Sequence, residues 1–594
     1  MSVLERIRTS DRLRDRVSAL WLLVVIVAGA LWLQIGTDFE LLNPAWWVYL
    51  FEVVRQEHRA PMPYVLVVPL IFGLYFAGII FGKIAFKRTD YGDARRAKPK
   101  DLVRMELDGK DGMIIGHLDN KPIIPRHHRH GMVIAGTRSG KTQAICIPTL
   151  QNYKGSVVVI DPKGELWDNT AGFRSRFSDC YRVEWTAEDT ARYNPISLSV
   201  LPESPAQIEL RVNQIASILG PSGSTYWEQD ARKALRALML LEIFDAKHEG
   251  RDASLENVAH FSGALDGVDA EDLEDNANTS PLLVKLFRAS ERAVERGYPR
   301  SCATDLGDLA AMAPNQSSGV FGTLAAEIQV LKTAAVAASI GGCDVNPRML
   351  VEGERPVTIY IVVKPQDAQF TSILTTTLIT NFVLDLVSRS SDEAARQHSV
   401  LFILEEFSAL KKTPAIGELL DRGAGLGVHA LMVIQSFSQV RSIYSEDDLK
   451  TFVNNSDYLI VFAVTDADTQ AWLERMVGKT TRRRESRSHA DQGNDSSNLS
   501  YEGVPLILAQ EWGEIPLGQH RIIVRYHNTR PIYATSRFAY KDPAAVDKMR
   551  IPAPARRIEK DVSQALNRPV EIAPGDERAL IANLESLDHV EPSN

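Results

Sequence analysis

Residues 136–142 read GTRSGKT and directly follow the apolar run Met132-Val133-Ile134-Ala135. The run reads as a short buried strand, residues 136–140 as a loop, and residues 141–147 as a helix that Pro148 ends. Strand, glycine-bearing loop and helix, in that order, constrain the fold more than any other stretch of this chain. The loop's backbone N–H groups and the helix N-terminus converge on one point and can cradle phosphate oxygens. Lys141 then reaches the β and γ phosphates of a nucleoside triphosphate, and the Thr142 hydroxyl ligates a magnesium ion. Gly136, Thr137, Arg138, Ser139, Gly140, Lys141 and Thr142 are the expected cradle, with ATP and Mg2+ as its ligands. The full pattern begins with glycine where this chain has Ala135, but Gly140, which the cradle needs, is present.

A phosphate loop needs acidic partners from another strand. The run SVLFIL at 399–404 is a buried parallel strand by its unbroken apolarity, and it ends in Glu405-Glu406. A strand of that kind delivers side chains to the phosphate edge of a sheet. Glu405 is the expected magnesium ligand, one methylene longer than the usual aspartate, and Glu406 the residue that polarises the attacking water. A third buried strand, ALMVI at 430–434, ends in Gln435, placed to orient that water. Three strand ends of this kind make the constellation of an additional-strand P-loop ATPase. Such motors complete their sites with an arginine from a neighbouring subunit, and Arg422 is the candidate.

At 594 residues the chain is too long for one core, and 45% hydrophobic with 24% charged residues excludes wholesale disorder. A net charge of -8 excludes a general electrostatic grip on nucleic acid, so phosphate contacts must be local. Cys146, Cys180, Cys302 and Cys343 lie far apart in no metal-binding spacing and read as small hydrophobes of a reducing compartment. Residues 17–37 carry no charge and as a helix would run about 31 Å, the thickness of a bilayer core; residues 60–82 are likewise uncharged. Arg6, Arg8, Arg12, Arg14 and Arg16 precede the first stretch and Lys83, Lys87, Arg88, Arg95 and Arg96 follow the second, which puts both termini in the cytoplasm.

From Leu201 to about Val345 the pattern turns helical. Ser204-Pro205 opens a helix with Ile208, Val212, Ile215 and Leu219 on one face and Gly220 as its stop; residues 227–244 and 281–297 give two more. TIYIVV at 358–363 resumes the sheet, so a small all-α domain is inserted into the ATPase. Residues 480–503, with Arg482, Arg483, Arg484 and Arg487, are polar and aperiodic and read as a mobile loop. The consecutive RHHRH at 126–130 would put ligands on opposite faces of a strand, and no metal is expected there.

In these landmarks the chain resembles the type IV secretion coupling proteins of the TraG/TraD class, membrane ATPases of bacterial conjugation and related export. The resemblance rests on YGDARRA (91–97), HGMVIAGTRSGKT (130–142), IPTL (147–150), GSVVVIDPKGELWDNTAGFR (155–174), YNPIS (193–197), YWEQDARKAL (226–235), LEEF (404–407), GLGVHALMVIQSFSQ (425–439) and RPIYA (530–534). DPKGELWDNTAGFR is the most specific of them. Its Asp161 closes a strand at the phosphate edge, either to bind metal or phosphate or to cap the segment that follows. The resemblance implies a RecA-like P-loop ATPase domain in two parts, 83–200 and 346–545, interrupted by an all-α domain, 201–345. A cytoplasmic N-terminus (1–16), a two-helix transmembrane hairpin (17–37 and 60–82) around a periplasmic loop (38–59), and a polar C-terminal tail (546–594) complete the layout. It further implies a homohexamer in the bacterial inner membrane that receives single-stranded DNA with an attached relaxase and drives it into the type IV secretion channel, in contact with that channel's inner-membrane components. Export of effector proteins and a nucleotide-gated docking receptor with little hydrolysis are the alternatives. Ala135 and Glu405 stand where relatives more often have glycine and aspartate, which bears on hydrolysis rate more than on nucleotide binding.

Overall fold

The computed structural model describes residues 89–261, 280–388, 396–407, 412–488 and 496–555. The expected spans at 17–37 and 60–82 lie outside the described residues, as does most of the tail. The chain forms two compact units, one of residues 98–469, 512–526 and 532–594, the other of residues 1–97, 470–511 and 527–531.

The larger unit is built on strands β1 (Gly116–Leu118), β2 (Lys121–Ile123), β3 (Gly131–Ile134), β4 (Ser156–Asp161), β5 (Asp179–Val183), β6 (Val357–Val362), β7 (Val400–Leu404), β8 (Val428–Ile434), β9 (Tyr458–Val461), β12 (Gln519–Val524) and β13 (Ile532–Thr535). They form one eleven-stranded sheet in the order β2-β1-β13-β12-β9-β3-β8-β7-β4-β6-β5. From β9 to β5 every neighbouring pair is parallel. From β9 outward through β12, β13, β1 and β2 every pair is antiparallel. Parallel strands must be covered on both faces, and β3, β4, β6, β7 and β8 are buried along their whole lengths. β8 lies between β3 and β7, which is the extra strand expected from the sequence.

Between β5 and β6 every described element is helical. The expected helices extend over Pro205–Leu219, Tyr226–Glu249 and Pro281–Glu295. Ile208, Val212, Ile215 and Leu219 are all buried, as their spacing required. Thr225 caps the second helix in a reciprocal box with Glu228, a stop-and-start signal the sequence reading passed over. Helix Pro365–Ser388 is long and apolar enough to cross a membrane, but 89% of its most apolar window is buried inside the protein, so it is a core helix.

The smaller unit corrects one expectation. Residues 480–488 and 496–503 do not form an aperiodic loop: β10 (Lys479–Ser488) pairs antiparallel with β11 (Ser496–Pro505) in a two-stranded ribbon. Opposite residues include Thr480 with Val504, Arg482 with Glu502 and Arg483 with Tyr501, so arginines occupy strand positions that hydrophobic periodicity cannot detect. The ribbon is tied at its base to the YGDARRA segment, where Ala94 N–H donates to the Lys479 carbonyl at 3.2 Å and Thr481 N–H to that of Gly92 at 3.2 Å.

Candidate nucleotide site

Register aligns four strand ends at one edge of the parallel sheet. Ile134 of β3 lies beside Ile434 of β8, Leu404 of β7 beside Met432 of β8, and Ile160 of β4 beside Leu404. Ala135 and Gln435 therefore leave the sheet side by side, and Glu405 and Asp161 do so together two residues short of them, all at the carboxyl edge where open α/β sheets bind ligands.

The loop after β3 is held by its backbone. Ala135 N–H donates to the Ile434 carbonyl at 3.0 Å, Gly136 N–H to that of Ala463 at 3.4 Å, and Ser139 N–H to that of Gly136 at 3.4 Å. Arg138 and Gly140 both have left-handed backbones, φ 60° and 83°. Left-handed residues alternating with ordinary ones turn successive N–H groups inward, the geometry of an anion nest. Thr137 and Arg138 are exposed, while Gly136, Ser139, Gly140, Lys141 and Thr142 are half-buried. Gly140 is required for a second reason: a Cβ there would collide with the ring of Phe538.

The helix that follows departs from expectation. Thr142–Cys146 is a π-helical turn running straight into the α-helix Ile147–Asn152, and Pro148 sits in the first turn of that α-helix instead of ending anything. Proline is tolerated there because the widened turn at 142–146 shifts the hydrogen-bond register, Ile147 N–H donating to the Thr142 carbonyl.

Loop and distant carboxylate meet at Thr142, whose Oγ1 donates to Glu405 Oε1. Glu405 is buried, and burial raises its carboxyl to about 7 against the opposing effect of the Thr142 hydrogen bond; the neighbouring Asp161 raises it further. Glu406 is half-buried with a left-handed backbone, φ 58°, uncommon for glutamate and of a kind that concentrates at functional sites. Gln435 follows β8 beside the loop, its N–H donating to Gln439 Oε1 at 3.2 Å. Arg422 ends the helix Ala415–Arg422, 69% exposed and 3.5 Å from Glu418.

Of the two readings of Asp161, capping is the one with a contact in the structure. Its Oδ2 accepts the Trp167 N–H at 2.8 Å in the first turn of helix Glu165–Arg174, and the amides of Lys163, Gly164 and Leu166 also lower its pKa, while burial lifts it to about 6. The rest of DPKGELWDNTAGFR ties the site together in ways the sequence reading missed. Glu165 accepts from Gln143 Nε2 at 2.7 Å, joining this helix to the one after the phosphate loop. Arg174, fully buried, donates to Thr358 Oγ1 at 2.7 Å, to the Leu150 and Tyr153 carbonyls at 2.8 Å and to the Gly155 carbonyl at 2.9 Å. A buried arginine spent on backbone carbonyls looks in sequence like any surface arginine, and only its place in a specific motif hinted otherwise. His130, from RHHRH, is also structural, its Nδ1 accepting from Ala430 N–H at 3.0 Å.

Residues 88–569 match the family described as Type IV secretory system Conjugative DNA transfer. The chain is 26% identical over 528 residues to "Conjugal transfer protein TraG" of Escherichia coli, covering 79% of this chain and 80% of that one. It is 24% identical over 406 residues to "Protein VirD4" of Agrobacterium fabrum, covering 67% of this chain and 57% of that one. In fold it is similar to the bacterial conjugative coupling protein TrwBdeltaN70, with a TM-score of 0.54 at 14% identity over 76% of this chain and 96% of that one. A structure of TrwB in complex with ADP and Mg2+ gives 0.52, also at 14% identity, over 76% of this chain and 96% of that one. With the matched region running from the foot of the second uncharged stretch past the last strand of the sheet, the chain belongs to the type IV secretory system conjugative DNA transfer family.

Proposed function

We propose that the protein is a magnesium-dependent ATPase that recruits single-stranded DNA with an attached relaxase and drives it into a type IV secretion channel. The observation that carries the ATPase reading is the contact of Thr142 with Glu405, which joins the phosphate loop to a strand 263 residues away with an extra strand between them. The relatives' names supply the direction: conjugal transfer for TraG, coupling protein for TrwB.

The residues suit the ligands. Ser139 Oγ is buried without a hydrogen-bond partner among the described residues, a donor available to a phosphate oxygen. Thr142 and Glu405 offer the hard oxygen ligands magnesium prefers, and a Glu405 carboxyl raised to about 7 is one that a cation would ionise. Bound there, magnesium would neutralise charge on the β and γ phosphates. The nest of 136–140 and Lys141 bind the phosphates, and Glu406, adjoining Glu405 at the end of β7, polarises the attacking water. Gln435 orients that water from the intervening strand. A homohexameric ring in the inner membrane, anchored by helices at 17–37 and 60–82 with both termini cytoplasmic, would bring an arginine of a neighbouring subunit to this edge.

The test is ATP turnover by the full-length chain with and without single-stranded DNA. Turnover that rises with DNA and disappears in Lys141→Ala and Glu406→Gln is expected. Turnover indifferent to DNA would move the cargo to protein, and a wild-type rate no higher than that of the variants would overturn the motor.

A further inference from the structure

The segment after β13 reads SRFAYK, residues 536–541, and it returns to the phosphate loop. Phe538, 7% exposed, occupies the space where a Cβ on Gly140 would go. The short turn Ala539–Lys541 packs on the π-helical turn Thr142–Cys146. Tyr540 lies on Phe538 with ring centroids 5.6 Å apart and planes 7° from parallel, and Lys541 Nζ is 5.6 Å from both centroids, a charge holding the pair together. Tyr540 is nevertheless 54% exposed, a large ring left uncovered on an otherwise packed stack.

The stack and the Lys541 charge stabilise the pair, but they leave the outer face of the Tyr540 ring without a covering group. Placed against the residues that cradle the phosphates, it offers a flat surface about where the other end of a nucleotide must lie, since base and triphosphate are joined by one ribose. We propose that Tyr540, backed by Phe538, is the platform on which the base of the bound nucleotide stacks. This rests on the phosphate-loop reading above and adds to it the part of the ligand the loop does not touch. Stacking is tolerant of base identity because every base has a π face, so the platform supplies affinity for a nucleoside more than a preference among them.

The experiment compares ATP, GTP and inorganic tripolyphosphate, each with magnesium, binding to the full-length protein as wild type, Tyr540→Ala, Tyr540→Trp and Lys141→Ala. Tyr540→Ala is expected to weaken both nucleotides on the order of tenfold and to leave tripolyphosphate within about twofold, while Tyr540→Trp keeps nucleotide affinity near wild type. Lys141→Ala should weaken all three. The platform is overturned if Tyr540→Ala binds ATP as wild type does, or weakens ATP and tripolyphosphate alike. A wild-type protein that binds none of the three overturns the platform and the phosphate-loop reading together, and the Lys141 arm separates that failure from the platform's own.

Discussion

The two halves of the large sheet do different work. The parallel half, from β9 to β6, is buried along every strand, with β5 half-buried at its margin, and it ends at one edge in the candidate phosphate loop, Gln435, Glu405 and Asp161. The antiparallel half, β12, β13, β1 and β2, mixes buried and exposed positions, as β12 does in the pattern exposed, buried, half-buried, then buried to its end. Parallel strands all point the same way, so their carboxyl ends gather side chains from distant parts of the sequence. Antiparallel neighbours point opposite ways and gather none. What the antiparallel half contributes is fixation: His520 of β12, fully buried, bonds Ser536 Oγ and the Ile115 carbonyl at 2.8 Å each, tying together β12, the residue after β13 and the residue before β1.

If chemistry resides in the parallel half alone, the largest effect belongs to Lys141→Ala. ATP turnover should fall by about 10²-fold or more with the melting temperature unchanged, as expected when a preorganised donor to a phosphate is lost. Residual turnover near wild type would break the comparison. Next comes stability within the same half. Arg174→Leu strands three backbone carbonyls, although Thr358 Oγ1 keeps its bond to Ser178, and should cost roughly 3 kcal/mol or more in a denaturant titration. A loss below about 1 kcal/mol would show that those carbonyls find other partners.

A smaller effect tests the antiparallel half through pH. Burial depresses His520 to about 4, His130 to about 4 and His429 to about 3, below the ordinary value of 6.5. Below 6.5 the unfolded chain takes up protons that these buried rings refuse, so their contribution is whole above that pH and is lost as pH falls toward 4. His520→Leu should cost on the order of 1 kcal/mol at pH 8 and make the acid limb shallower, with turnover per folded molecule unchanged. An acid limb as steep as wild type would remove His520 from the account. The smallest effect returns to the site: with Glu405 raised to about 7, binding of magnesium nucleotide at pH 7 should release roughly half a proton, seen as a dependence of binding heat on buffer ionisation. Glu405→Gln should remove that release.

The same division governs what the amino-acid sequence discloses. Unbroken apolar runs such as VVVI in β4 and LMVI in β8 mark parallel strands by themselves, and the polar residue that follows each run lies at the carboxyl edge of the sheet. The strand ends that carry the loop, Glu405 and Gln435 were legible for that reason. The β10–β11 ribbon was not, because a run of polar residues with three consecutive arginines, Arg482 to Arg484, carries no hydrophobic alternation. Pro148 misled because proline usually ends a helix, and a π-helical turn that accommodates it has no sequence signature. Arg174 and Phe538 escaped for a third reason: the partners that place them lie 19 or more residues away, and nothing in spacing reports a contact made only after the sheet closes.

The central claim is that Thr142 and Glu405 act on one magnesium nucleotide, and a double-mutant cycle measures it directly. Affinity for magnesium ATP is compared in wild type, Thr142→Val, Glu405→Gln and the double variant. Each single change should weaken binding, and the double variant should be little worse than the poorer single one, leaving a coupling above about 1 kcal/mol. Losses that add to within a few tenths of a kcal/mol would mean the two residues serve different ends, and the account would be wrong at its base.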